Sequence, residues 1–155
     1  MKNNPNLANT ALTGIATIGF LGYSPFAPGT AGTLFALAVF LLTDFTVSGH
    51  FIIIVAGILI GTWAASVAEK ILNEKDSKKI VIDEFMGFFV SVFYLPKSLS
   101  LALAAFLLFR FFDILKPFFI SRLEKTLNGG PGIMADDILA GIYTNLILQT
   151  WVFVI

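Results

Sequence analysis

The amino-acid sequence predicts an all-α integral membrane protein, a compact bundle of about five membrane-embedded helices with short interfacial helices. Hydrophobic residues make up 57% of the 155 residues and charged residues only 13%, whereas a globular chain carries about 25% charge. The apolar residues are grouped in five long runs, and the charged residues lie between these runs or at their ends. The length predicts one membrane-embedded domain over residues 1–155.

Charge and cysteine content exclude several classes of function. Ten basic residues balance ten acidic ones, so no excess of cations is available to displace counterions from a nucleic acid, and we expect no nucleic-acid partner. The sequence has no cysteine, which excludes a disulfide, a thiolate nucleophile and a cysteine-based zinc site.

Residues 1–22 form the N-terminal segment, which we predict to be interfacial or re-entrant. Its apolar stretch from Leu7 to Tyr23 is short for a full membrane span and is interrupted by Asn, Thr and Gly residues. A distinctive loop follows it, in place of the small-residue cleavage site that would indicate a secretory signal.

That loop covers residues 22–33 and reads Gly-Tyr-Ser-Pro-Phe-Ala-Pro-Gly-Thr-Ala-Gly-Thr. Because proline and glycine oppose regular helix, we expect irregular backbone up to Gly32 and a helix from about Thr33 to Leu42. Free N–H groups and the positive end of the helix dipole would then face one place. This arrangement favours an anion-binding site.

The rest of the chain alternates apolar runs with polar connections. A polar turn is expected over residues 43–50, a solvated connector over 69–79, and an amphipathic interfacial helix over 118–128. The apolar runs predicted to be membrane-embedded are 33–42, 51–68, 80–95, 99–116 and 138–155.

The distribution of basic residues predicts the orientation. Of the loops between the predicted spans, one side contains only Lys97 as a basic residue. The other side contains Lys2, Lys70, Lys75, Lys78, Lys79, Lys116, Arg122 and Lys125. Since cytoplasmic loops carry the excess of Lys and Arg, the lysine-rich side is predicted to be cytoplasmic.

On this assignment, five acidic residues lie at the cytoplasmic edge of the bilayer: Asp83, Glu84, Asp113, Asp136 and Asp137. A charged side chain at the bilayer centre costs about 2.5–3.5 kcal/mol on insertion scales, so this many acids require a partner. Two nearby cations, Arg110 and Lys116, cannot neutralise them, but a divalent metal can. The available ligands are carboxylate oxygens, because the single histidine, His50, is assigned to the opposite face. Oxygen ligands favour Mg²⁺ or Mn²⁺.

Arg110, Asp113 and Lys116 are spaced by three residues, so they share a broad face of one helix. Carboxylates hold a metal, whereas Arg, Lys and loop amides hold phosphate oxygens. Together these groups predict a phosphoryl-transfer or phosphate-hydrolysis site at the membrane surface, with a lipid phosphate as substrate.

Four segments carry a resemblance to a known family: 24–33, 81–87, 109–117 and 129–141. They resemble, in the same order, the four motifs of phosphatidylglycerophosphatase A, and together they extend from about Gly19 to Gly141. The resemblance implies a Mg²⁺-dependent enzyme of the bacterial inner membrane with several membrane passes and its active site at the cytoplasmic face. Such an enzyme hydrolyses the terminal phosphomonoester of phosphatidylglycerophosphate to phosphatidylglycerol and phosphate in phospholipid biosynthesis.

The resemblance also implies roles for individual residues. The catalytic and metal-binding acids would be Asp83, Glu84, Asp113, Asp136 and Asp137. Substrate phosphate would be bound by Pro28, Gly29, Thr30, Thr33, Arg110 and Lys116. Thr33 replaces a serine that is common in similar sequences but keeps the hydroxyl.

Simpler structural roles remain open for most of these residues. Asp136 could only cap the last helix, and Arg110 with Asp113 could be a structural ion pair. Lys116 could reach to lipid headgroups, and the loop could be no more than a helix start. His50 and both tryptophans are expected to be interfacial.

Two other functions also remain open, a small divalent-cation transporter or channel and an assembly subunit whose acids pair with a partner's cations. Neither the choice between direct water attack and an aspartyl-phosphate intermediate nor the oligomeric state can be read from the sequence.

Overall fold

The computed structural model describes residues 6–117 and 127–154, and the described residues are entirely helical apart from turns. The predicted all-α class is therefore confirmed. Besides a short 3₁₀ turn at Leu21–Tyr23, the helices are α1 Leu7–Ala16, α2 Pro28–Leu42, α3 Val47–Leu72, α4 Ile82–Ser91, α5 Leu99–Leu115 and α6 Gly130–Val154.

Two of the described helices are long and apolar enough to cross a membrane. α3 has 26 residues and α6 has 25. The most apolar 18-residue stretch of each has a mean hydropathy of 2.3 and 1.3, respectively, and only 28% of each stretch is buried. α2, α4 and α5 have 15, 10 and 17 residues, and at about 1.5 Å per residue they fall short of a hydrocarbon core about 30 Å thick. The prediction of about five membrane-embedded helices is supported for two of them.

α2 begins at Pro28, five residues before the predicted start. Proline is suited to the first turn because its fixed φ is helical and its missing N–H would have had no intrahelical partner. Gly29 and Gly32 continue the helix, so the prediction of irregular backbone up to Gly32 was wrong.

α6 begins at Gly130 instead of Ile138, so Asp136 and Asp137 lie inside the helix, about two turns from its start. The interpretation of Asp136 as an N-cap was therefore wrong.

α3 begins at Val47, where the Thr46 hydroxyl accepts a hydrogen bond from the Gly49 N–H at 3.1 Å. The polar turn predicted over residues 43–50 is thus half helical. His50, predicted to be interfacial, is buried with 5% exposure, and its Nε2 lies 3.1 Å from the Phe89 carbonyl oxygen. The amphipathic helix predicted over residues 118–128 lies almost wholly outside the described residues.

α1 has 10 residues, too few to cross a bilayer. Its last residues are tied to the entry of α4, because the Val81 N–H donates to the Ala16 carbonyl at 2.9 Å. The interfacial or re-entrant placement of this N-terminal segment stays a prediction.

α4 lies at the centre of the bundle and packs against α2, α3, α5 and α6. Its contact with α6 depends on two glycines: a Cβ on Gly141 would overlap the Gly87 carbonyl oxygen, and a Cβ on Gly87 would lie 2.6 Å from the Asp137 carbonyl oxygen. Fully buried Phe88, Phe89 and Phe109 fill the surrounding core. The two helices therefore approach closely where Asp137 enters the bundle.

Candidate active site

Four helix ends meet at one end of the bundle. α2, α4 and α6 start there and α5 finishes there, which brings together polar residues that are up to about a hundred positions apart in sequence. At the other end, Lys97 Nζ forms an ion pair with Asp44 Oδ1 at 2.6 Å. The polar residues of α2, α4, α5 and α6 thus lie together at the end opposite this ion pair.

An acidic cluster, which we define as Asp83, Glu84 and Asp137, forms the centre of the site. One carboxylate oxygen from each residue lies within 4.8 Å of the others. Asp83 and Asp137 are 9% and 3% exposed. Asp113 is close enough to interact electrostatically with Glu84 and Asp137. Two acids from α4 and one from α6 thus converge, with a fourth from α5 beside them.

Two oxygens of this cluster are poorly satisfied. Asp83 Oδ1 and Glu84 Oε2 are buried and accept no hydrogen bond from any described residue. Both residues lie in the first turn of α4, outside the two helices that can span a membrane. Burying a carboxylate without a partner is costly, so the two oxygens are suited to binding a cation.

The electrostatics of α4 support the same conclusion. Burial raises the pKa of Asp83 well above its ordinary value, and the charges of Glu84 and Asp137 raise it further. Burial also raises the pKa of Glu84, although a hydrogen bond from Asp83 and the charge of Arg110 oppose the shift. Simultaneous ionisation of these carboxylates is therefore unfavourable, and a bound cation would offset part of this cost. Three convergent carboxylates are suited to a hard, oxygen-binding ion such as Mg²⁺ or Mn²⁺.

The N-terminus of α2 lies directly against this cluster. A Cβ on Gly29 would overlap Glu84 Oε1, and Arg110 Nη1 lies 3.4 Å from the same position. The residue before the helix, Ala27, has φ 43° and provides no side-chain cap. The first N–H groups of α2 and the Arg110 guanidinium are therefore placed where an anion could bind beside the acids.

Arg110 also forms an ion pair within α5. Its Nη1 lies 2.6 Å from Asp113 Oδ2, and both side chains are largely buried. This is the structural pairing considered above. It does not exclude a role at the site, because the same guanidinium lies beside Gly29 and its charge acts on Glu84.

Asp136 and Lys116 form a separate pair. Lys116 Nζ donates to Asp136 Oδ2 at 2.9 Å, and Asp136 is 6% exposed. Consecutive residues on an α-helix point about 100° apart, so Asp136 and Asp137 face different neighbours. The structure thus divides the five predicted acids, placing Asp136 outside the acidic cluster.

The threonines of α2 differ in their surroundings. The Thr33 hydroxyl is fully buried and donates to the Gly29 carbonyl at 2.9 Å, so it supports the position of Gly29. Pro28 and Thr30 lie in the first turn on either side of Gly29 and are only partly buried. The roles assigned to all these residues stay predictions.

One contact of the site region was not found from the sequence. The Gly130 N–H donates to Ser66 Oγ at 3.2 Å, and a Cβ on Gly130 would overlap the Thr62 carbonyl oxygen. This contact fixes the start of α6 against α3. The glycine-rich run before Asp136 was a signal that the backbone passes close to a neighbour there, but its partner could not be read from the sequence.

Comparison with known proteins identifies a family. The profile of the family described as phosphatidylglycerophosphatase A matches residues 14–152. A relative named phosphatidylglycerophosphatase A from Haemophilus influenzae is 42% identical over 97 residues, which are 60% of this chain and 60% of the relative. The protein of that name from Escherichia coli is 35% identical over 98 residues, 63% of this chain and 57% of the relative.

A third relative carries a different name. The putative phosphatidylinositol-3-phosphatase from Bacteroides thetaiotaomicron is 37% identical over 97 residues, 59% of this chain and 60% of that protein. The matches thus span about 60% of the length of these relatives. No solved structure matches the chain.

Proposed function

Because the chain belongs to the phosphatidylglycerophosphatase A family, we propose that it hydrolyses the terminal phosphomonoester of phosphatidylglycerophosphate to phosphatidylglycerol and phosphate. The observation that carries this proposal is the acidic cluster of Asp83, Glu84 and Asp137 beside Gly29 and Arg110. Acids that bind a cation and donors that bind an anion lie next to each other, as hydrolysis of a phosphate ester requires.

Asp83, Glu84 and Asp137 would hold a divalent cation, which we propose to be Mg²⁺, with Asp113 beside them. When bound, such an ion polarises a phosphoryl oxygen and lowers the pKa of a bound water. The two unsatisfied buried oxygens of Asp83 and Glu84 support this assignment.

The phosphate would be bound by Arg110 and by the N–H groups at the start of α2, which offset the negative charge that develops on its oxygens. A carboxylate that is not fully committed to the cation would accept the proton of the attacking water, and Asp113, which lies outside the three-carboxylate cluster, is a candidate for this role. The oxygen of that water bonds to phosphorus, the P–O ester bond breaks, and the leaving oxygen of the lipid takes up a proton. An aspartyl-phosphate intermediate is the competing scheme.

The alternative of a divalent-cation transporter or channel is not favoured. A conduit needs polar groups through the whole depth of the membrane. α3 contains no Asp, Glu, Lys or Arg between Val47 and Ala68, and at the far end the pair of Lys97 with Asp44 is exposed. An assembly subunit would release no phosphate from a lipid, so the experiment below also tests this alternative.

We further propose that the protein is embedded in the bacterial inner membrane with the acidic cluster at the cytoplasmic face. Two helices that can span support membrane insertion. The lysine-rich segment of residues 69–79, predicted as a connector, consists of the last turn of α3 and the turn after it, and it lies at the end where the acidic cluster lies. By the positive-inside rule this end faces the cytoplasm.

The decisive experiment measures phosphate release by the purified protein in lipid nanodiscs, with Mg²⁺ or with excess EDTA. The substrates are phosphatidylglycerophosphate, phosphatidylinositol 3-phosphate and phosphatidic acid, because the names of the relatives differ in the lipid. We expect Mg²⁺-dependent release with preference for phosphatidylglycerophosphate. No release from this lipid, or preference for another one, would overturn the proposed substrate.

The matched variants are Asp137→Asn in the cluster and Asp44→Asn at the far end. Mutation of a residue that only supports a metal ligand typically lowers metal affinity or activity by about 10–100-fold. Loss of a ligand itself should cost more, so Asp137→Asn should lower activity by more than about 100-fold. Asp44 is 93% exposed in its side chain and serves as the control. Unchanged activity of Asp137→Asn would remove the acidic cluster from the mechanism.

A further inference from the structure

Three aromatic side chains between α1 and α2 project away from the protein. Phe20 is 83% exposed, Tyr23 is 55% exposed and Phe26 is 85% exposed. We call these three residues the aromatic lip. They lie outside the two helices that can span a membrane, so their exposure is not explained by the lipid-facing side of a transmembrane helix.

The backbone under the aromatic lip is held firmly. A Cβ on Gly22 would overlap the Lys79 carbonyl oxygen, so this turn packs directly on the connector before α4. Thr17 is 1% exposed, and its hydroxyl donates to the Thr13 carbonyl at 2.9 Å. The Gly22 N–H donates to the Thr17 carbonyl, also at 2.9 Å. The packed backbone of this turn therefore holds the three rings in exposed positions.

Cations accompany the rings. Lys79 Nζ lies 5.7 Å from the centre of the Tyr23 ring, a cation–π distance, and the neighbouring Lys78 is exposed. Amphipathic aromatic rings beside lysines are typical of the headgroup level of a membrane, where the rings enter the interface and the lysines meet anionic lipids.

The aromatic lip also borders the candidate active site. Phe26 is three residues before Gly29, whose Cα faces the Glu84 carboxylate. We propose that the aromatic lip, with Lys78 and Lys79, docks into the headgroup layer of an anionic phospholipid leaflet at the entrance of the site. The exposed rings and lysines are the evidence for docking. The further claim that docking admits a lipid substrate rests on the proposed function.

Docking would fix the height of the acidic cluster relative to the membrane. The N-terminus of α2 follows the aromatic lip directly, so rings held at headgroup level keep Gly29 and Arg110 near the plane of the lipid phosphates. A phosphate on a lipid headgroup could then reach the site without the lipid leaving its leaflet.

Tryptophan fluorescence tests the docking without reference to activity. In a background with Trp63→Phe and Trp151→Phe, Phe26→Trp provides one fluorophore in the aromatic lip, and Lys75→Trp provides a control in the exposed connector. Both proteins are reconstituted in vesicles of phosphatidylcholine and phosphatidylglycerol that contain lipids brominated near the headgroup end of the acyl chain. We expect blue-shifted emission and at least twofold quenching at residue 26, and water-like emission with little quenching at residue 75.

A second comparison tests the charge preference. Quenching at residue 26 should increase with the phosphatidylglycerol content, and the added substitutions Lys78→Ala and Lys79→Ala should remove the increase. Equal quenching at residues 26 and 75, or water-like emission at both, would overturn the proposal. Quenching that is independent of phosphatidylglycerol would overturn the preference for an anionic surface. These results would leave the phosphatase assay untouched, so failure of either proposal can be recognised separately.

Discussion

At the residue scale, the sequence could predict that acids from distant segments come together, but not that they divide into two groups. The sequence points to five acids at one level of the membrane, and the structure gathers Asp83, Glu84 and Asp137. Asp136 instead pairs with Lys116. The sequence could not show that Asp136 and Asp137 contact different neighbours. The direction in which each side chain points depends on the rotation of a helix that starts at Gly130.

The contact of Gly29 with Glu84 makes Gly29→Ala a sensitive test of the site. The added methyl group would overlap Glu84 Oε1 and must displace either α2 or the carboxylate. Since a misplacement of about 1 Å can cost about 100-fold in rate, we expect kcat/KM for phosphate release to fall by about that factor. The matched control is Gly14→Ala, because nothing lies within 4 Å of a Cβ at that position in α1. Equal activity of the two variants would contradict the close contact.

Asp136 and Asp137 should differ in their effect on metal binding. A ligand that binds only the folded state raises its stability according to the ligand concentration, so Mg²⁺ should raise the melting temperature of the wild-type protein in detergent. Asp137→Asn removes a carboxylate of the acidic cluster and should abolish this increase, whereas Asp136→Asn should retain most of it. Differential scanning fluorimetry over a Mg²⁺ titration measures both. If Asp136→Asn alone lost the increase in melting temperature, Asp136 and not Asp137 would be assigned to the metal site.

At the element scale, the helical regions could be predicted but several starts could not. Proline and glycine were taken as helix breakers up to Gly32, yet Pro28 lies in the first turn of α2. The last helix was expected from Ile138, yet it begins at Gly130, which approaches the backbone of α3. In both regions tertiary packing decides where the helix begins. α4 was expected to cover residues 80–95, but it ends at Ser91.

The C-terminus of α4 is capped by two side chains of α6. Asn145 Nδ2 donates to the Ser91 and Phe93 carbonyls at 3.0 and 2.8 Å, and Gln149 Nε2 donates to Phe93 at 3.1 Å. A helix end surrounded by apolar side chains needs such partners, because its last carbonyls have none within the helix. These bonds hold α4, and with it the acids of its first turn, against α6.

Asn145→Leu should therefore destabilise the protein at nearly constant side-chain volume, since it removes the side-chain donor to the Ser91 carbonyl and leaves the Phe93 carbonyl with Gln149 alone. An unsatisfied buried acceptor costs about 1–3 kcal/mol, so we expect a loss of this size in the free energy of unfolding, measured in detergent with a chemical denaturant. Thr150→Val is the control, because the Thr150 hydroxyl donates only to the Leu146 carbonyl of its own exposed helix surface. A loss for Asn145→Leu no larger than that of the control would refute the capping role.

At the scale of the whole molecule, the segregation of charge was already visible in the sequence. The last turn of α3 contains Lys70 and the connector after it contains Lys75, Lys78 and Lys79, whereas Lys97 at the opposite end pairs with Asp44. The sequence predicted this asymmetry because it depends only on which loops contain lysine. It could not predict that three helices would be shorter than a full span, since helix ends depend on contacts between distant segments, such as those of Asn145 with the end of α4.

The same asymmetry predicts the orientation in the membrane, and the lack of cysteine makes the test simple. Single variants Asp44→Cys and Lys75→Cys place one thiol at each end, both at exposed positions. Because the lysine-rich end should remain in the cytoplasm, a membrane-impermeant maleimide added to bacterial spheroplasts should label residue 44 and not residue 75. Residue 75 should become labelled only after permeabilisation, and the cysteine-free wild type gives the background. The opposite pattern would place the acidic cluster on the outer face, and labelling of both thiols in intact spheroplasts would contradict a membrane barrier between the two ends.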